Sequence, residues 1–217
     1  MKMSKVEFDC GKWLQEAEEF ALPNWSALPS IPLYMDQVMM FTGEALSLFE
    51  RDEKQSLLTN SMINNYVKSG VVDHPVHKKY SKEHLSKLMM VGLLKQVLSI
   101  QDIAVLFSGD EDAEQLYKDF AAAQSGALHE TAAGVHPESD AAALRAAALK
   151  LAAEATARQA VAQRILMALS DEKKPRNNQI CNEQKPAWRN RMFYSKKGWD
   201  IMCDLQAFPM RSGGRLL

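Results

Sequence analysis

Paired cysteines are missing from this chain of 217 residues, which contains only three cysteines. Cys10, Cys181 and Cys203 lie far apart and form no CxxC pair. This spacing argues against both a disulfide framework and a zinc site. Unpaired cysteines are typical of proteins in a reducing compartment, so we expect a cytoplasmic protein.

Long apolar runs and an excess of one charge are also missing. No run reaches the roughly 18 apolar residues that a membrane helix needs. The first residues, MKMSKVEFDCGKW, carry charge but no apolar core of a secretory signal. We therefore expect neither a membrane span nor a leader. The formal net charge is −1, so a nucleic-acid-binding surface would have to be a local patch.

The sequence also lacks the motifs of common catalytic sites. It has no phosphate-binding glycine loop, no nucleophile elbow and no pair of carboxylates at a spacing typical of a catalytic site. The acidic stretch GDEDAE lacks the glycine and the closing glutamate of a calcium-binding loop. His74, His77 and His84 are close in sequence, but no cysteine or acidic cluster completes a metal site. We predict a protein that is not an enzyme, with no catalytic residue, metal or cofactor.

Changes in composition divide the chain into regions. Apolar residues at helical spacing in residues 5–20 predict a helix that docks on the core. Three prolines in LPNWSALPSIPL mark an extended linker. The predicted regions are an N-terminal helix and linker (1–33), a winged helix-turn-helix (34–108), a helical C-terminal region (109–170) and a disordered tail (171–217).

The tail has no sustained apolar period. Residues 173–217 contain ten of the 26 lysines and arginines of the chain. A disordered extension explains this composition. The alternative is a basic arm, interleaved with aromatic residues, that contacts phosphates.

The most informative stretch runs from Leu57 to Phe107. It predicts a short helix, a glycine-containing turn, a basic loop, a long apolar helix and a further short helix. This order is typical of a winged helix-turn-helix. In the short helix, from Thr59 to Lys68, the packing side is predicted to be Met62, Ile63, Tyr66 and Val67.

Three asparagines lie on the opposite side of this short helix, although asparagine is a poor helix former. An asparagine side chain can form a bidentate contact with the edge of adenine, which favours a helix that reads the major groove. The alternative, of equal weight on this helix alone, is a solvated polar face. Val71-Val72 and Lys78-Lys79-Tyr80 are predicted as the two wing strands. The predicted DNA-contacting residues are Thr59, Asn60, Ser61, Asn64, Asn65, Lys68, Lys78, Lys79, Tyr80 and Lys82.

Residues 140 to about 170 predict one long alanine-rich helix, about 45 Å long at ~1.5 Å per residue. One heptad core position holds Leu144, Leu151, Arg158 and Ile165, and the other holds Ala148, Ala155, Ala162 and Leu169. Apart from the arginine, we predict that these residues pair with a second helix, within the chain or in a homodimer. The alternative is a helix that packs on its own domain, with alanine present for helix propensity.

Three segments resemble the winged helix-turn-helix of the MerR type. INNYVKSGVVDHP is similar to the end of the recognition helix and the turn after it, KKYSKEHLSKL to the wing strand and next helix, and LLKQVLSIQDIAVLF to the closing helix pair. The resemblance implies a DNA-binding dimer and an effector that is sensed by a C-terminal region. The sequence of this C-terminal region shows no metal-ligand set and no evident pocket.

A closer resemblance is to a bacterial family, domain of unknown function 1836. It rests on LPSIPLYMDQVMMF, LTNSMINNYVK and KKYSKEHLSKL and covers roughly residues 22–108. Members of that family often carry lysine where this chain has Asn60. MerR wings usually carry arginines, whereas this wing has Lys78, Lys79 and Lys82, and lysine is a less specific phosphate partner. Both departures lower the expected affinity for DNA.

The sequence therefore predicts a mainly α fold: a MerR-like winged helix-turn-helix with a small β-wing, an N-terminal docking helix and a long C-terminal helix. The leading hypothesis is a transcriptional regulator that binds double-stranded DNA as a homodimer. The alternative is a protein-interaction module derived from the same fold, because fold alone does not determine function.

Overall fold

The computed structural model describes residues 9–50, 56–109 and 112–172, and the fold of these residues is mainly helical, as predicted. The helices are α1 (Cys10–Glu19), α2 (Met35–Leu46), α3 (Asn60–Lys68), α4 (Lys82–Leu94), α5 (Ile100–Leu106), α6 (Ala113–Ala133) and α7 (Ala141–Glu172), with 3₁₀ turns at Trp25–Ala27 and Ser47–Phe49. None of the helices in these residues combines the length and apolarity that a membrane span requires.

Helix α4 forms the centre of the main core. Nine of its 13 residues are buried, and it packs against both α2 and α6. A helix that is apolar on most sides has to be covered on most sides. Leu22 and Leu28 from the proline-rich segment and Tyr117 from α6 belong to the same core. The core therefore draws on residues beyond both ends of the predicted 34–108 region.

A local hydrogen-bond pattern fixes the start of α4. Nδ1 of His84 accepts a hydrogen bond from the Ser81 backbone nitrogen at 3.0 Å, which satisfies an amide that precedes the helix. The Ser81 hydroxyl donates to the Glu83 carboxylate at 2.5 Å, and this hydrogen bond lowers the pKa of Glu83. Ser81 is therefore the N-cap residue of α4.

Close packing between α2, α4 and the residues before α3 depends on Gly92. A Cβ atom at this position would lie 3.0 Å from Leu46 Cδ1 and 3.4 Å from Leu58 Cγ. Leu46 is on α2, and Leu58 directly precedes the cap of α3. The absence of a side chain at Gly92 therefore lets three segments meet.

Extended pairing in the described residues consists of two isolated antiparallel bridges, Leu33 with Tyr80 and Val76 with Lys79. The predicted strand at Val71-Val72 is wrong. The backbone nitrogens of both valines donate to the Tyr66 carbonyl, at 3.0 and 3.2 Å. Since these amides close the end of α3, they are not free to pair with another strand.

The N-terminal helix docks, as predicted, but its main partner is α6 and not the core of the predicted 34–108 region. Leu14, Ala17 and Ala132 form a small core separate from the main one. Near it, Nε2 of His129 lies 2.6 Å from the Phe20 carbonyl oxygen. The segment before α2 is fixed in turn by the Tyr117 hydroxyl, which donates to the Pro23 carbonyl at 2.7 Å.

The predicted long helix is present as α7, and Asp140 caps its start because the Ala143 nitrogen donates to the Asp140 carboxylate at 2.7 Å. It packs against α5; Leu166 is its one buried residue among the described side chains, and Gln159 donates to the Val97 carbonyl at 2.7 Å. Of the predicted pairing residues, Leu144, Leu151 and Ala162 are half-buried, and Ala148, Ala155, Ile165 and Leu169 are exposed. The predicted tail began at residue 171, but α7 continues to Glu172. The rest of that tail, residues 173–217, lies outside the described residues.

Candidate nucleic-acid interface

Helix α3 has two chemically distinct faces. Ile63, Tyr66 and Val67 are buried in the core, and Met62 is half-buried. The exposed side chains of this helix are Asn60, Ser61, Asn64, Asn65 and Lys68. The division predicted from the sequence is therefore confirmed. The exposed face consists of amides, one hydroxyl and one ammonium group, which are all hydrogen-bonding groups suited to base edges and phosphates.

The start of α3 is anchored from two directions. The Thr59 hydroxyl accepts a hydrogen bond from the Met62 nitrogen at 3.2 Å and caps the helix. The Lys95 ammonium group donates to the carbonyl of Leu57, two residues before the cap. Burial lowers the pKa of Lys95, as expected for an ammonium group that is partly removed from water. The orientation of α3 is thus tied to the end of α4.

At the predicted wing, residues 76–79 form a tight two-residue turn. The Lys79 nitrogen donates to the Val76 carbonyl at 2.9 Å, and the Val76 nitrogen donates to the Lys79 carbonyl at 3.1 Å. His77 and Lys78 between them both have positive φ, 51° and 64°. Positive φ at both central residues matches a type I′ turn, which favours asparagine and glycine. This turn holds the Lys78 side chain at its exposed tip at the cost of backbone strain.

The predicted lysines differ in their surroundings. Lys68 and Lys78 are exposed, and within the described part of the chain neither forms an ion pair. Lys79 Nζ lies 5.0 Å from the centroid of the Tyr34 ring. Lys82 Nζ lies 4.9 Å from the centroid of the Trp25 ring. Such cation–π contacts orient an ammonium group without neutralising its charge.

The sequence predicted that Tyr80 contacts DNA, but its side chain does not face solvent. Its side chain is 4% exposed, and its ring lies edge-on to the His84 ring at 5.7 Å. Its backbone pairs with Leu33, which turns the side chain into the core. Burial also raises the pKa of the Tyr80 hydroxyl. Tyr80 therefore belongs to the main core and is not accessible for a DNA contact.

The three neighbouring histidines do not form a shared site. His74 and His77 are exposed, whereas His84 is buried. Across all the residues that the structure describes, no three His, Cys, Asp or Glu side chains are grouped as metal ligands would be. Nearby, the Lys87 ammonium group donates to the Asp73 carboxylate at 2.8 Å, and this hydrogen bond lowers the pKa of Asp73.

Relieving the strain in the wing should stabilise the protein. We expect the double variant His77→Asn/Lys78→Gly to raise the free energy of unfolding by about 1 kcal/mol, because these residues adopt positive φ at lower cost. The change is measured as a shift in the urea midpoint. His74→Asn, at an exposed position without positive φ, is the control and should shift it little. A fall in the midpoint of the double variant would contradict the strain argument.

Sequence reasoning missed the aromatic partners of the wing lysines. Tyr34 and Trp25 precede the wing by more than 40 residues. The bridge between Leu33 and Tyr80 brings Tyr34 beside Lys79. Trp25 reaches Lys82 from a 3₁₀ turn that packs on α6. A concentration of aromatic residues around the proline-rich linker was the available signal, but it did not indicate which lysines they would contact.

Comparison with known proteins supports the family resemblance over part of the chain. Residues 23–120 match the family model described as domain of unknown function (DUF1836). Searches of curated proteins and of solved structures found no match to this chain. The matched range reaches beyond residue 108 to include Tyr117, in agreement with its place in the main core. Over residues 23–120, which hold α2 to α5 and the first part of α6, this chain is thus similar to the DUF1836 family.

Proposed function

We propose that this protein is a DNA-binding transcriptional regulator of the winged helix-turn-helix type. In this proposal α3 enters the major groove and the Val76–Lys79 turn lies along the sugar-phosphate backbone. The observation that carries it is the exposed face of α3, which offers Asn60, Asn64 and Asn65 together with Lys68. A recognition helix contacts base edges through a strip of such side chains, on a face that does not pack against the core.

Phosphate contacts would come from the exposed lysines and from the start of α3. Lys68 and Lys78 carry charges that are free to approach phosphates, and Ser61 adds a hydroxyl in the first turn of the helix. The unpaired amides of that turn and the helix dipole also favour a phosphate. Lys79 and Lys82 lie against aromatic rings. They would add to the positive electrostatic field at the DNA more than to specific phosphate contacts.

A homodimer is part of the proposal, and its support comes from α7. Val161, Ile165 and Leu169 are exposed at 60%, 56% and 44%. They recur at intervals of four on one side of the helix, so they would meet a second helix together. Two copies of α3 in such a dimer would read half-sites about one helical turn, roughly 34 Å, apart.

The test is binding of the full chain to duplex DNA. Selection from a random duplex pool, followed by fluorescence anisotropy at several salt concentrations, should yield a palindromic site and steep salt dependence. We expect Lys68→Ala/Lys78→Ala to reduce affinity at least tenfold. If each lysine neutralises one phosphate, the log-log salt slope should fall by about 1.8 for each bound protomer.

The matched control is Lys118→Ala/Lys150→Ala. It changes the net charge equally but affects exposed lysines on α6 and α7 that pair with Glu114 and Glu154. DNA binding by the control should resemble that of the wild type. Equal loss in both double variants would indicate a general charge effect, and no enrichment by folded protein at low salt would contradict DNA binding.

The second candidate function is a protein-interaction module without DNA binding. It is favoured by the exposed apolar side chains on α7, among which Leu149 is 73% exposed. A partner held by apolar contacts would respond weakly to salt, whereas phosphate contacts respond steeply. The salt titration therefore separates the two proposals. Neither assigns a catalytic role to the protein.

A further inference from the structure

A cavity of about 840 Å³ lies between α1, the 3₁₀ turn Ser47–Phe49 and the N-terminal half of α7. Trp13 and Leu14 line it from α1, and Leu144 and Leu151 line it from α7. The two helices thus face each other across a space and do not interlock. Small-molecule sites of proteins are mostly clefts of roughly 300–1,000 Å³, and this cavity falls within that range.

The wall of the cavity is mainly apolar. The indole N–H group of Trp13 in this wall already has a hydrogen-bond partner, because it donates to the Leu48 carbonyl at 3.1 Å. The ring therefore presents carbon surface to the space. Apolar surface that is left without neighbours forfeits dispersion contacts and hydrophobic stabilisation. An occupant with an apolar body would restore both.

Among the cavity-lining residues that the structure describes, Glu50 is the one charged side chain. One carboxylate oxygen accepts a hydrogen bond from the Leu57 nitrogen at 3.1 Å. A carboxylate has about four acceptor positions, so it can accept further hydrogen bonds from a ligand. Beside an apolar wall, water screens a charge less well, and a cation is preferred over an anion or a neutral group.

We propose that this cavity binds a small cationic amphiphile, a molecule with an aliphatic or aromatic body and a protonated amine. The apolar body lies between α1 and α7, and the ammonium group pairs with Glu50. This site requires no DNA and stands independently of the proposed function.

The position of Glu50 suggests how the ligand acts on α3. The Leu57 nitrogen is held by Glu50, and the Leu57 carbonyl is held by Lys95. Leu57 lies two residues before Thr59, the cap of α3. An ammonium group that pairs with the Glu50 carboxylate weakens the hydrogen bond between Glu50 and the Leu57 nitrogen. This change shifts the start of α3. Only this effect on DNA binding rests on the proposed function.

The binding site is tested on the full chain without DNA. The neutral dye N-phenyl-1-naphthylamine reports an apolar cavity by its fluorescence, and decylamine and decanoate compete with it at concentrations below micelle formation. We expect decylamine to displace the dye at a concentration at least tenfold lower than decanoate does. Glu50→Gln keeps an oxygen for the Leu57 nitrogen but removes the charge, so this preference should vanish while dye binding remains.

A second pair of variants locates the dye. Ala147 lines the cavity, so Ala147→Trp should fill it and abolish dye binding. Ala146→Trp adds the same group at an exposed neighbour and should leave dye binding intact. Thermal unfolding checks that each variant is folded; if Ala147→Trp is not, the Glu50→Gln comparison decides.

Three results would overturn the proposal. They are no dye binding by folded wild-type protein, equal displacement by decylamine and decanoate, and a preference that survives in Glu50→Gln. Loss of dye binding as the protein concentration rises would also overturn it, because a second copy of the chain would then be the occupant. Failure of DNA binding alone would leave the ligand site in place.

Discussion

Replacing Gly92 by valine is expected to lower the free energy of unfolding by about 2–3 kcal/mol. The Cβ atom alone would lie 3.0 Å from Leu46 Cδ1, and the two methyl groups of valine need still more space. Overpacking a full core costs about 1–3 kcal/mol, which exceeds the gain of a few tenths of a kcal/mol in helix propensity. Leu46 is 1% exposed, so its side chain has little free space into which it could shift.

The urea midpoint and the melting temperature measure this effect. A loss of this size corresponds to a fall of roughly 5–10 °C in a protein of this length. Gly126→Val is the matched control, because a Cβ atom at Gly126 in α6 meets none of the described atoms within 4 Å. That variant should be neutral or slightly stabilised. Equal destabilisation of both variants would contradict the packing argument, because Gly126 has no close neighbour among the described atoms that a valine could displace.

The Gly92 variant should also affect the proposed DNA surface. Leu58 Cγ would lie 3.4 Å from the new Cβ atom, and Leu58 directly precedes Thr59, the cap of α3. Displacement of Leu58 would move the start of α3. We therefore expect DNA affinity to fall in Gly92→Val even at temperatures where the variant remains folded.

Tyr117→Phe is expected to make the protein less stable near neutral pH and more stable at high pH. Burial raises the pKa of Tyr117 to about 12, and the hydroxyl donates to the Pro23 carbonyl at 2.7 Å. Loss of this hydrogen bond should cost about 1 kcal/mol at pH 8. The phenylalanine cannot ionise, however, so the variant escapes the alkaline destabilisation of the wild type.

The direction of the pH effect follows from linkage. The folded-state pKa of Tyr117 lies above the unfolded value of about 10, so its contribution is fully present below pH 10 and is lost as the pH rises toward about 12. Over that interval the loss is of the order of 2–3 kcal/mol. The urea midpoint of Tyr117→Phe should therefore lie below that of the wild type at pH 8, approach it at pH 10 and slightly exceed it at pH 11.

Tyr34→Phe provides the control for this comparison. Tyr34 is 54% exposed, so removing its hydroxyl group breaks no buried contact and should leave the alkaline loss of stability as in the wild type. If Tyr117→Phe loses stability with rising pH as steeply as the wild type does, Tyr117 is not the buried group responsible.

The helices could be predicted from the sequence where a local periodic pattern decides the structure. The faces of α3 follow from the spacing of Ile63, Tyr66 and Val67, and the start of α7 follows from Asp140. Both features depend on residues a few positions apart. Periodicity and capping are determined at this range, because helical neighbours are three or four residues apart.

The wing and the cavity could not be predicted in the same way. Val71 and Val72 have strand propensity, but their backbone amides donate to the Tyr66 carbonyl and do not pair with another strand. Tyr80 is an aromatic residue beside lysines, which is equally compatible with a surface contact and with a core position. The cavity joins Trp13 to Leu144, and no local pattern relates residues so distant in sequence.

The docking of α1 on α6 also sets an order for folding during synthesis. Phe20 and His129, which meet beside this contact, are 109 residues apart, and the ribosome adds about 5–20 residues per second. Helix α1 therefore leaves the ribosome several seconds before its partner. During that interval Trp13 and Leu14 have no α6 to cover them, so the nascent N-terminal segment exposes apolar surface that is prone to aggregation.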